Sequence, residues 1–189
     1  MFLMEEDIAN ALEVLRNGGL ILYPTDTVWG IGCDATNPNA VSKIYALKKR
    51  EDAKAMIMLV PEEQWILDYV ETASPIVVDY IKGISKPTTV IYENAKNLAG
   101  NLIGIDGSVA IRICKAELAF KLMKAFGKPI VSTSANIAGL PTPMCFKDIS
   151  LDVIEGVDYV VKSDQEDTTL KQPSAIVKWE QDQLIIIRP

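Results

Sequence analysis

The chain has 189 residues, of which 49% are hydrophobic and 23% charged, and its formal net charge at pH 7 is −6. This length suits one domain, and the apolar content is sufficient for a core, so the composition excludes a disordered chain. The acidic balance argues against a protein that coats nucleic acid, while a local basic pocket for a small anion remains compatible with it. Histidine is absent, which excludes Ser-His-Asp and Cys-His triads, imidazole metal sites and a histidine general base.

Three cysteines, Cys33, Cys114 and Cys145, lie far apart in the sequence and form no CxxC pair. Their odd number and spacing argue against a disulfide framework and a zinc site, which suits a reducing compartment. The N-terminal residues 1–12 are acidic and lack the apolar run of a signal peptide, and no stretch reaches the length of a membrane span. We therefore expect a cytoplasmic protein with no membrane partner and no resident metal.

Apolar periodicity, Gly/Pro punctuation and β-branched runs predict the secondary structure in chain order. The predicted elements are a helix over 5–17 ended by Gly18-Gly19, a strand over 20–23, a helix from Asn37-Pro38 to 48–50, a strand over 55–60, helices near 62–70 and 74–83, a strand over 88–92, a loop over 94–107, a strand over 108–113, a helix over 116–126, a strand over 129–132, a loop over 133–143, and strands over 158–161, 174–179 and 184–188. Because strands and helices mingle without strict alternation, the sequence predicts one α/β domain over 1–189 with a mixed, twisted sheet and flanking helices.

The segment Pro24-Thr25-Asp26-Thr27 directly follows a predicted buried strand. Loops that leave strand ends carry ligand groups in α/β proteins, and two hydroxyls with a carboxylate could bind a polar substrate. Proline and aspartate also form ordinary turns, and on this segment alone the turn is favoured. The nearby Gly30 and Gly32 form neither a Walker loop nor a GxGxxG motif.

A basic cluster, Lys48-Lys49-Arg50, lies at the C-terminal end of a predicted helix. Cations are favoured there by the helix dipole, which is a purely structural interpretation. Arginine with its planar fork and lysine with its movable charge also suit a triphosphate, and Lys54 would strengthen such a clamp. The sequence alone leaves these two interpretations even.

Polar side chains at 132–136 (STSAN) follow an apolar strand, where hydroxyl and amide groups could ligate phosphate oxygens. Serine and asparagine are also common in caps and turns, but their density here favours a functional interpretation.

Arg112 lies within the apolar run SVAIRIC, and Arg188 lies near the end of LIIIRP. Each arginine either faces solvent on a half-exposed strand or binds a carboxylate in a pocket.

Taken together, GGLILYPTDTVWGIGCDA, IYALKKR, GSVAIRI and VSTSANIAGLPTP resemble the YrdC-like threonylcarbamoyl-adenylate synthase family in order and spacing. The resemblance runs from about residue 5 to the C-terminus and implies the short form, with one catalytic domain curved around a basic cavity. It implies a nucleotidyltransferase that forms threonylcarbamoyl-AMP and pyrophosphate from L-threonine, bicarbonate and ATP. The product serves tRNA threonylcarbamoyladenosine modification, and magnesium is expected to arrive on the ATP phosphates.

The same resemblance implies roles for individual positions. Those matched to catalysis are the K-x-R pair Lys48 and Arg50 and the S-x-N pair Ser134 and Asn136. ATP binding is implied for these four and for Lys54, Ser108, Thr142 and Arg188. Threonine binding is implied for Thr27, Arg112, Ser132 and Ser174.

Some positions depart from the family pattern. Glu51 stands where the family often has proline, Leu59 where a threonine-binding histidine is common, and Pro173-Ser174-Ala175 where Glu-Ser-Thr is usual. Both the K-x-R and the S-x-N groups are kept, whereas relatives of the YciO type lack them, so the pattern favours an active synthase.

Two other functions stay open at this point. One is a non-catalytic module that binds tRNA or double-stranded RNA, and the other is an adenylating enzyme of the same fold with another amine substrate. Expected partners of the synthase are possible tRNA or double-stranded RNA and the downstream proteins that transfer the threonylcarbamoyl group to tRNA.

Overall fold

The computed structural model describes residues 2–49, 56–71, 73–180 and 183–189. Its helices are α1 Phe2–Arg16, α2 Pro38–Lys48, α3 Ile66–Tyr69, α4 Pro75–Gly83, α5 Glu117–Phe126 and α6 Leu151–Glu155. Its strands are β1 Ile21–Tyr23, β2 Gly30–Asp34, β3 Ile57–Val60, β4 Thr88–Tyr92, β5 Val109–Ile113, β6 Ile130–Ser134, β7 Tyr159–Val160, β8 Ala175–Glu180 and β9 Gln183–Arg188. None of the described helices is both long and apolar enough to cross a bilayer.

Within the described residues the strands form one nine-stranded sheet in the order β7-β1-β2-β6-β3-β5-β4-β8-β9. The pairs β1–β7, β3–β5 and β4–β8 are parallel, and the remaining neighbours are antiparallel. The predicted α/β fold with a mixed sheet is confirmed by this topology. The order also brings chain-distant strands β5 and β6 to either side of β3, which matters for the site.

Cross-strand register decides which side chains share a face of the sheet. Arg112 on β5 lies opposite Leu59 on β3 and Thr89 on β4, so these three side chains project from the same face. The alternate positions Val90, Ile111 and Val131 are at most 2% exposed and belong to the hydrophobic core. The opposite face carries the buried polar side chains Arg112 and Thr89 beside the buried Leu59.

The start of α2 follows the sequence prediction closely. The Asn37 side chain accepts hydrogen bonds from the backbone of Asn39 and Ala40, and Pro38 takes the first helical position. At the other end Lys49 adopts a left-handed conformation with φ 50°, which stops the helix directly after Lys48. Lys48 is therefore the last residue of the helix, and its backbone carbonyl accepts from the Ala138 N–H at 2.9 Å.

Strand β2 was not predicted, because its sequence Gly-Ile-Gly-Cys-Asp carries two residues that weaken an isolated strand. It forms here because β1 and β6 hydrogen-bond to its two edges. Strand β6 also runs to Ser134, two residues beyond its predicted end at 132, since Ser134 pairs with Gly30. Helix α6 was likewise missing from the prediction.

Candidate active site

A cavity of about 250 Å³ opens on the face of the sheet that carries Arg112. It is lined by Thr27, Val28, Trp29, Gly30, Met56, Ile57, Arg112, Ser132, Thr133, Ser134, Thr142, Pro173, Ser174, Ile176 and Arg188. Among these described lining residues the charged side chains are the two arginines, so the cavity is basic although the whole chain is acidic. Hydroxyl groups supply most of its remaining polarity.

Arg112 is only 4% exposed, and its charge is compensated by the segment PTDT. Its Nη2 lies 3.2 Å from Asp26 Oδ1 and 3.5 Å from Thr25 Oγ1. Its Nε is buried and makes no hydrogen bond within the described part of the chain. The guanidinium is therefore held from one side by Asp26 while the arginine also lines the cavity.

The segment PTDT is both a turn and a wall of the cavity. Thr25 Oγ1 donates to the Val28 carbonyl at 2.8 Å and accepts from the Thr27 backbone N–H at 3.1 Å. The hydroxyls of Thr25 and Thr27 lie 3.0 Å apart. Because this network closes the turn, Thr27 is held where it lines the cavity, so the two interpretations of this segment are compatible.

A second hydroxyl pair includes Ser174, another residue that lines the cavity. Ser174 Oγ and Thr89 Oγ1 are both buried and lie 2.8 Å apart. The Ser174 carbonyl accepts from Arg188 Nε at 3.0 Å and from Arg188 Nη2 at 2.8 Å. Ser174 and Arg188, which lie near the C-terminus, are thus in contact at the cavity. Two donors of the Arg188 guanidinium are bound to a backbone carbonyl.

The lysine of the K-x-R pair meets the S-x-N loop. Lys48 Nζ donates to the carbonyls of Ser134 at 2.5 Å and Asn136 at 2.6 Å, and the residue is 2% exposed. Ser134 Oγ donates to Asn136 Oδ1 at 2.6 Å, and Asn136 Nδ2 donates to the Leu140 carbonyl at 2.7 Å. The end of α2 and the loop after β6 are consequently joined through one ammonium group.

The predicted ATP-binding residues are only partly brought together. Thr142 lines the cavity and also an adjacent groove of about 370 Å³, which Asn136 lines as well. Ser108 precedes β5 and lies outside the cavity lining, where its backbone N–H donates to Asp106 Oδ1 at 3.1 Å. Arg50 and Lys54 fall outside the described residues.

Sequence reasoning assigned no role to Thr89 and did not pair Asp26 with Arg112. Thr89 sits in the β-branched run TTVIY, whose only local signal is that of a strand. Asp26 and Arg112 come from distant segments, so no local pattern could have paired them. Both relationships become visible only in the tertiary structure.

Cys114 lies beside the pair formed by Asp26 and Arg112, and its thiol is not reactive. Burial raises the pKa of its thiol to about 11, with the Asp26 charge adding to the rise and the Arg112 charge opposing it. The thiol is therefore protonated at neutral pH, and its Sγ lies 3.3 Å from Asp26 Oδ1 as a donor.

Fold and site together define an α/β protein with a basic, hydroxyl-rich cavity suited to a small anionic substrate. Residues 13–189 match the family model Sua5/yciO/yrdC, which is described as "Telomere recombination". The chain belongs to this family.

Curated relatives cover most of the chain. The threonylcarbamoyl-AMP synthase of Pseudoalteromonas translucida is 33% identical over 175 residues, which span 91% of this chain and 92% of that protein. The threonylcarbamoyl-AMP synthase of Photobacterium profundum is 37% identical over 139 residues, spanning 72% of this chain and 75% of that protein.

Solved structures share the fold. P. abyssi Sua5 complexed with L-threonine has a TM-score of 0.86 at 23% identity, and the match covers 96% of this chain and 53% of that one. This chain thus spans about half the length of that protein. E. coli YciO has a TM-score of 0.82 at 21% identity, with 98% of this chain and 89% of that one covered.

Proposed function

We propose that this chain is an L-threonylcarbamoyladenylate synthase, a nucleotidyltransferase that forms threonylcarbamoyl-AMP and pyrophosphate from L-threonine, bicarbonate and ATP. The observation that carries the proposal is the basic cavity, which holds the buried Arg112 and a set of hydroxyls next to the loop held by Lys48. Relatives that bear this name match the chain along nearly its whole length. One domain over residues 1–189 carries both halves of the site.

Threonine binds at the end of the cavity formed by Arg112, Thr27, Ser132 and Ser174. The guanidinium receives the carboxylate, because arginine offers a planar set of donors that matches two carboxylate oxygens. The hydroxyls around it, which line the same cavity, orient the amine and the side chain of the substrate. The likeness to a Sua5 structure complexed with L-threonine supports a site of this kind in the shared fold.

ATP binds next to it, toward the S-x-N loop. Ser134, Asn136 and Thr142 present hydroxyl and amide groups, and Lys48 adds positive charge behind them. Arg50 and Lys54 complete the phosphate contacts, and the family resemblance implies peripheral nucleotide contacts for Ser108 and Arg188. These roles follow from the family resemblance, and the positions of Ser134, Asn136 and Thr142 along the cavity and the adjacent groove also support them.

Magnesium enters as part of the nucleotide substrate. Within the described residues there is no group of three or more His, Cys, Asp or Glu side chains suited to a metal ion. The described lining of the cavity also contains no carboxylate. A hard cation that keeps its waters and bridges phosphate oxygens needs no such cage.

The chemistry requires no covalent bond to the protein. The threonine amine attacks the carbon of bicarbonate, and loss of water gives the carbamate. A carbamate oxygen then bonds to the α-phosphorus of ATP while the bond from that phosphorus to the pyrophosphate oxygen breaks. Such a step depends on alignment of the two substrates and on neutralisation of phosphate charge, which lysine, arginine and hydroxyl groups supply without histidine.

The product then passes to proteins that transfer the threonylcarbamoyl group to tRNA. We predict this hand-over from the family resemblance. Direct contact with tRNA or double-stranded RNA and a cytoplasmic location are predictions as well.

The test is incubation of the protein with ATP, bicarbonate and threonine, followed by measurement of pyrophosphate and of the mixed anhydride by mass spectrometry. We expect both products, with each dependent on all three substrates. Serine and valine serve as competitors that lack the methyl group or the hydroxyl. Faster turnover with another amine would favour the alternative adenylating enzyme, and steeply salt-dependent RNA binding without ATP turnover would favour the RNA-binding module.

A variant at the K-x-R pair tests the phosphate end separately. Arg50→Ala should abolish pyrophosphate release and leave the far-ultraviolet circular dichroism spectrum intact, because the charge acts on phosphate and not on the core. Lys49→Ala is the matched control, since it removes a neighbouring cation that is assigned no contact with substrate. Normal turnover by the Arg50 variant would contradict the phosphate-clamp assignment.

A further inference from the structure

Tyr23 projects from the face of the sheet that carries the cavity, although it takes no part in the roles described above. It lies directly opposite Gly30 in the antiparallel pair β1–β2, and Gly30 lines the cavity. Residues directly opposite each other in such a pair project to the same face. The Tyr23 side chain is nevertheless fully buried, so it lies beneath the cavity wall.

Two glycines make room for this side chain. A Cβ atom at residue 32 would lie 2.7 Å from Tyr23 Cε1, which is closer than real Cβ contacts. A Cβ atom at residue 30 would lie 2.7 Å from Ser132 Oγ and 3.6 Å from Tyr23 Cε1. The pattern Gly-Ile-Gly in β2 therefore allows the Tyr23 ring and the Ser132 hydroxyl to lie against the strand.

The phenol hydroxyl is buried and has no hydrogen-bond partner within the described residues. Burial raises the pKa of Tyr23, while the Ser132 side chain, which is within reach of a hydrogen bond to the phenol, and the Arg112 charge oppose the rise; the contact between the phenol and Ser132 does not have the geometry of a formed hydrogen bond. At neutral pH the hydroxyl is a protonated donor. A buried donor without a partner costs free energy in the unliganded protein, and such groups call for a functional explanation.

Arg112 Nε is a second buried donor without a partner in the described structure, and it belongs to the same neighbourhood. The unliganded protein thus leaves two polar groups unsatisfied beside Ser132, at the end of the cavity assigned to threonine. Sites that bind a polar substrate carry such unpaired groups, because the pairing is completed only in the complex.

We propose that Tyr23 is a positioning residue for the amino-acid substrate, through a hydrogen bond from its phenol to Ser132 Oγ that forms when the substrate carboxylate occupies Arg112. This bond turns the Ser132 proton toward the substrate and strengthens its donation, since hydrogen bonds in a chain polarise one another. The inference rests on the proposed function, because it concerns the threonine end of that site.

The test is Tyr23→Phe, which removes the hydroxyl and keeps the ring over Gly32. We expect the KM for threonine to rise about tenfold, as loss of one hydrogen bond in a charged site implies. The KM for ATP should be unchanged, and Tm should be equal to or above that of the wild type. Ser132→Ala should raise the threonine KM similarly, and the double variant should be no worse than either single variant.

Tyr92→Phe is the matched control. Tyr92 is also buried, its hydroxyl also has no hydrogen-bond partner among the described residues, and burial alone raises its pKa. Because Tyr92 lies outside the cavity lining, its variant should keep the wild-type KM for both substrates.

Several outcomes would overturn the inference about Tyr23. One is a wild-type threonine KM in Tyr23→Phe, and another is additive effects in the double variant. A third is a Tm lowered by several degrees, since the hydroxyl would then be bonded in the unliganded protein. An active wild type with a silent Tyr23→Phe leaves the proposed function intact, whereas a wild type without threonine-dependent pyrophosphate release overturns both.

Discussion

Asp26 Oδ1 lies 3.2 Å from Arg112 Nη2, and this contact joins the loop after β1 to strand β5 across the sheet. It offsets much of the cost of burying the guanidinium, which is 4% exposed. It also fixes which edge of the arginine faces the cavity. The carboxylate therefore supports the proposed substrate-binding arginine without lining the same cavity, and it lines a separate one.

Asp26→Asn tests this relationship. We expect the KM for threonine to rise about tenfold and the free energy of unfolding to fall by about 2 kcal/mol, because the buried charge of Arg112 loses its counter-ion. Substrate titrations and urea denaturation measure the two effects. Glu62→Gln removes an exposed pair with Lys124 and should change stability by no more than about 0.5 kcal/mol. An unaltered threonine KM in Asp26→Asn would mean that the carboxylate does not position Arg112.

Lys48→Met tests the link between α2 and the S-x-N loop. The carbonyls of Ser134 and Asn136 lose a charged donor while the aliphatic part of the side chain is kept, so we expect activity to fall at least about a hundredfold. The free energy of unfolding should fall by about 2 kcal/mol. Pyrophosphate release and urea denaturation give these quantities.

Lys43→Met is the control for that variant. Lys43 is on the same helix and also donates to a backbone carbonyl, that of Gly18 at 2.8 Å, but it is exposed and lies outside the cavity lining. Its variant should keep full activity. If both lysine variants lose activity to the same degree, the effect comes from α2 in general and not from the loop.

Arg188→Lys distinguishes two roles for the late arginine. Lysine cannot reproduce the fork of Arg188 on the Ser174 carbonyl, so Ser174 should lose its fixed position at the threonine end. We expect the KM for threonine to rise roughly fivefold with little change for ATP. A rise confined to the KM for ATP would instead support the nucleotide contact that the family resemblance implies. Lys178→Met, on the neighbouring strand β8, is a control for loss of a nearby cation.

Asp7 should make the free energy of unfolding depend on pH in the acid range. Burial raises the pKa of this carboxyl, but hydrogen bonds from Lys162 N, Ser163 Oγ, Tyr159 OH and Ser163 N more than offset it, so the pKa is lowered. A lowered pKa stabilises the folded state above the unfolded-state value, roughly 3.9, and that stabilisation is lost as pH falls through the folded-state pKa.

Asp7→Asn is therefore expected to be less stable than the wild type at pH 7, and the difference should shrink below about pH 3.9. Urea denaturation between pH 7 and pH 2.5 measures it. Asp152→Asn, which changes an exposed carboxylate on α6, is the control and should follow the wild type. A constant gap across the pH range would show that the variant acts through packing and not through charge.

The elements that short-range rules govern were predicted well. The N-cap at Asn37 and the apolar spacing of α1 and α5 depend on residues within a few positions of each other, and the structure confirms them. Strand β2 was not predicted, because Gly30 and Gly32 have no side chains that could show the alternating pattern of a strand. Its formation depends on pairing with β1 and β6.

The sequence by itself determined the α/β fold class, the absence of histidine chemistry and the motifs that identify the family. Only the tertiary structure decided that Asp26 compensates Arg112, that Thr89 meets Ser174 and that the ring of Tyr23 rests where Gly32 has no side chain. The physical reason is that periodicity and capping act within a few residues, whereas these contacts join a loop, a strand end and neighbouring strands that only the folded sheet brings together.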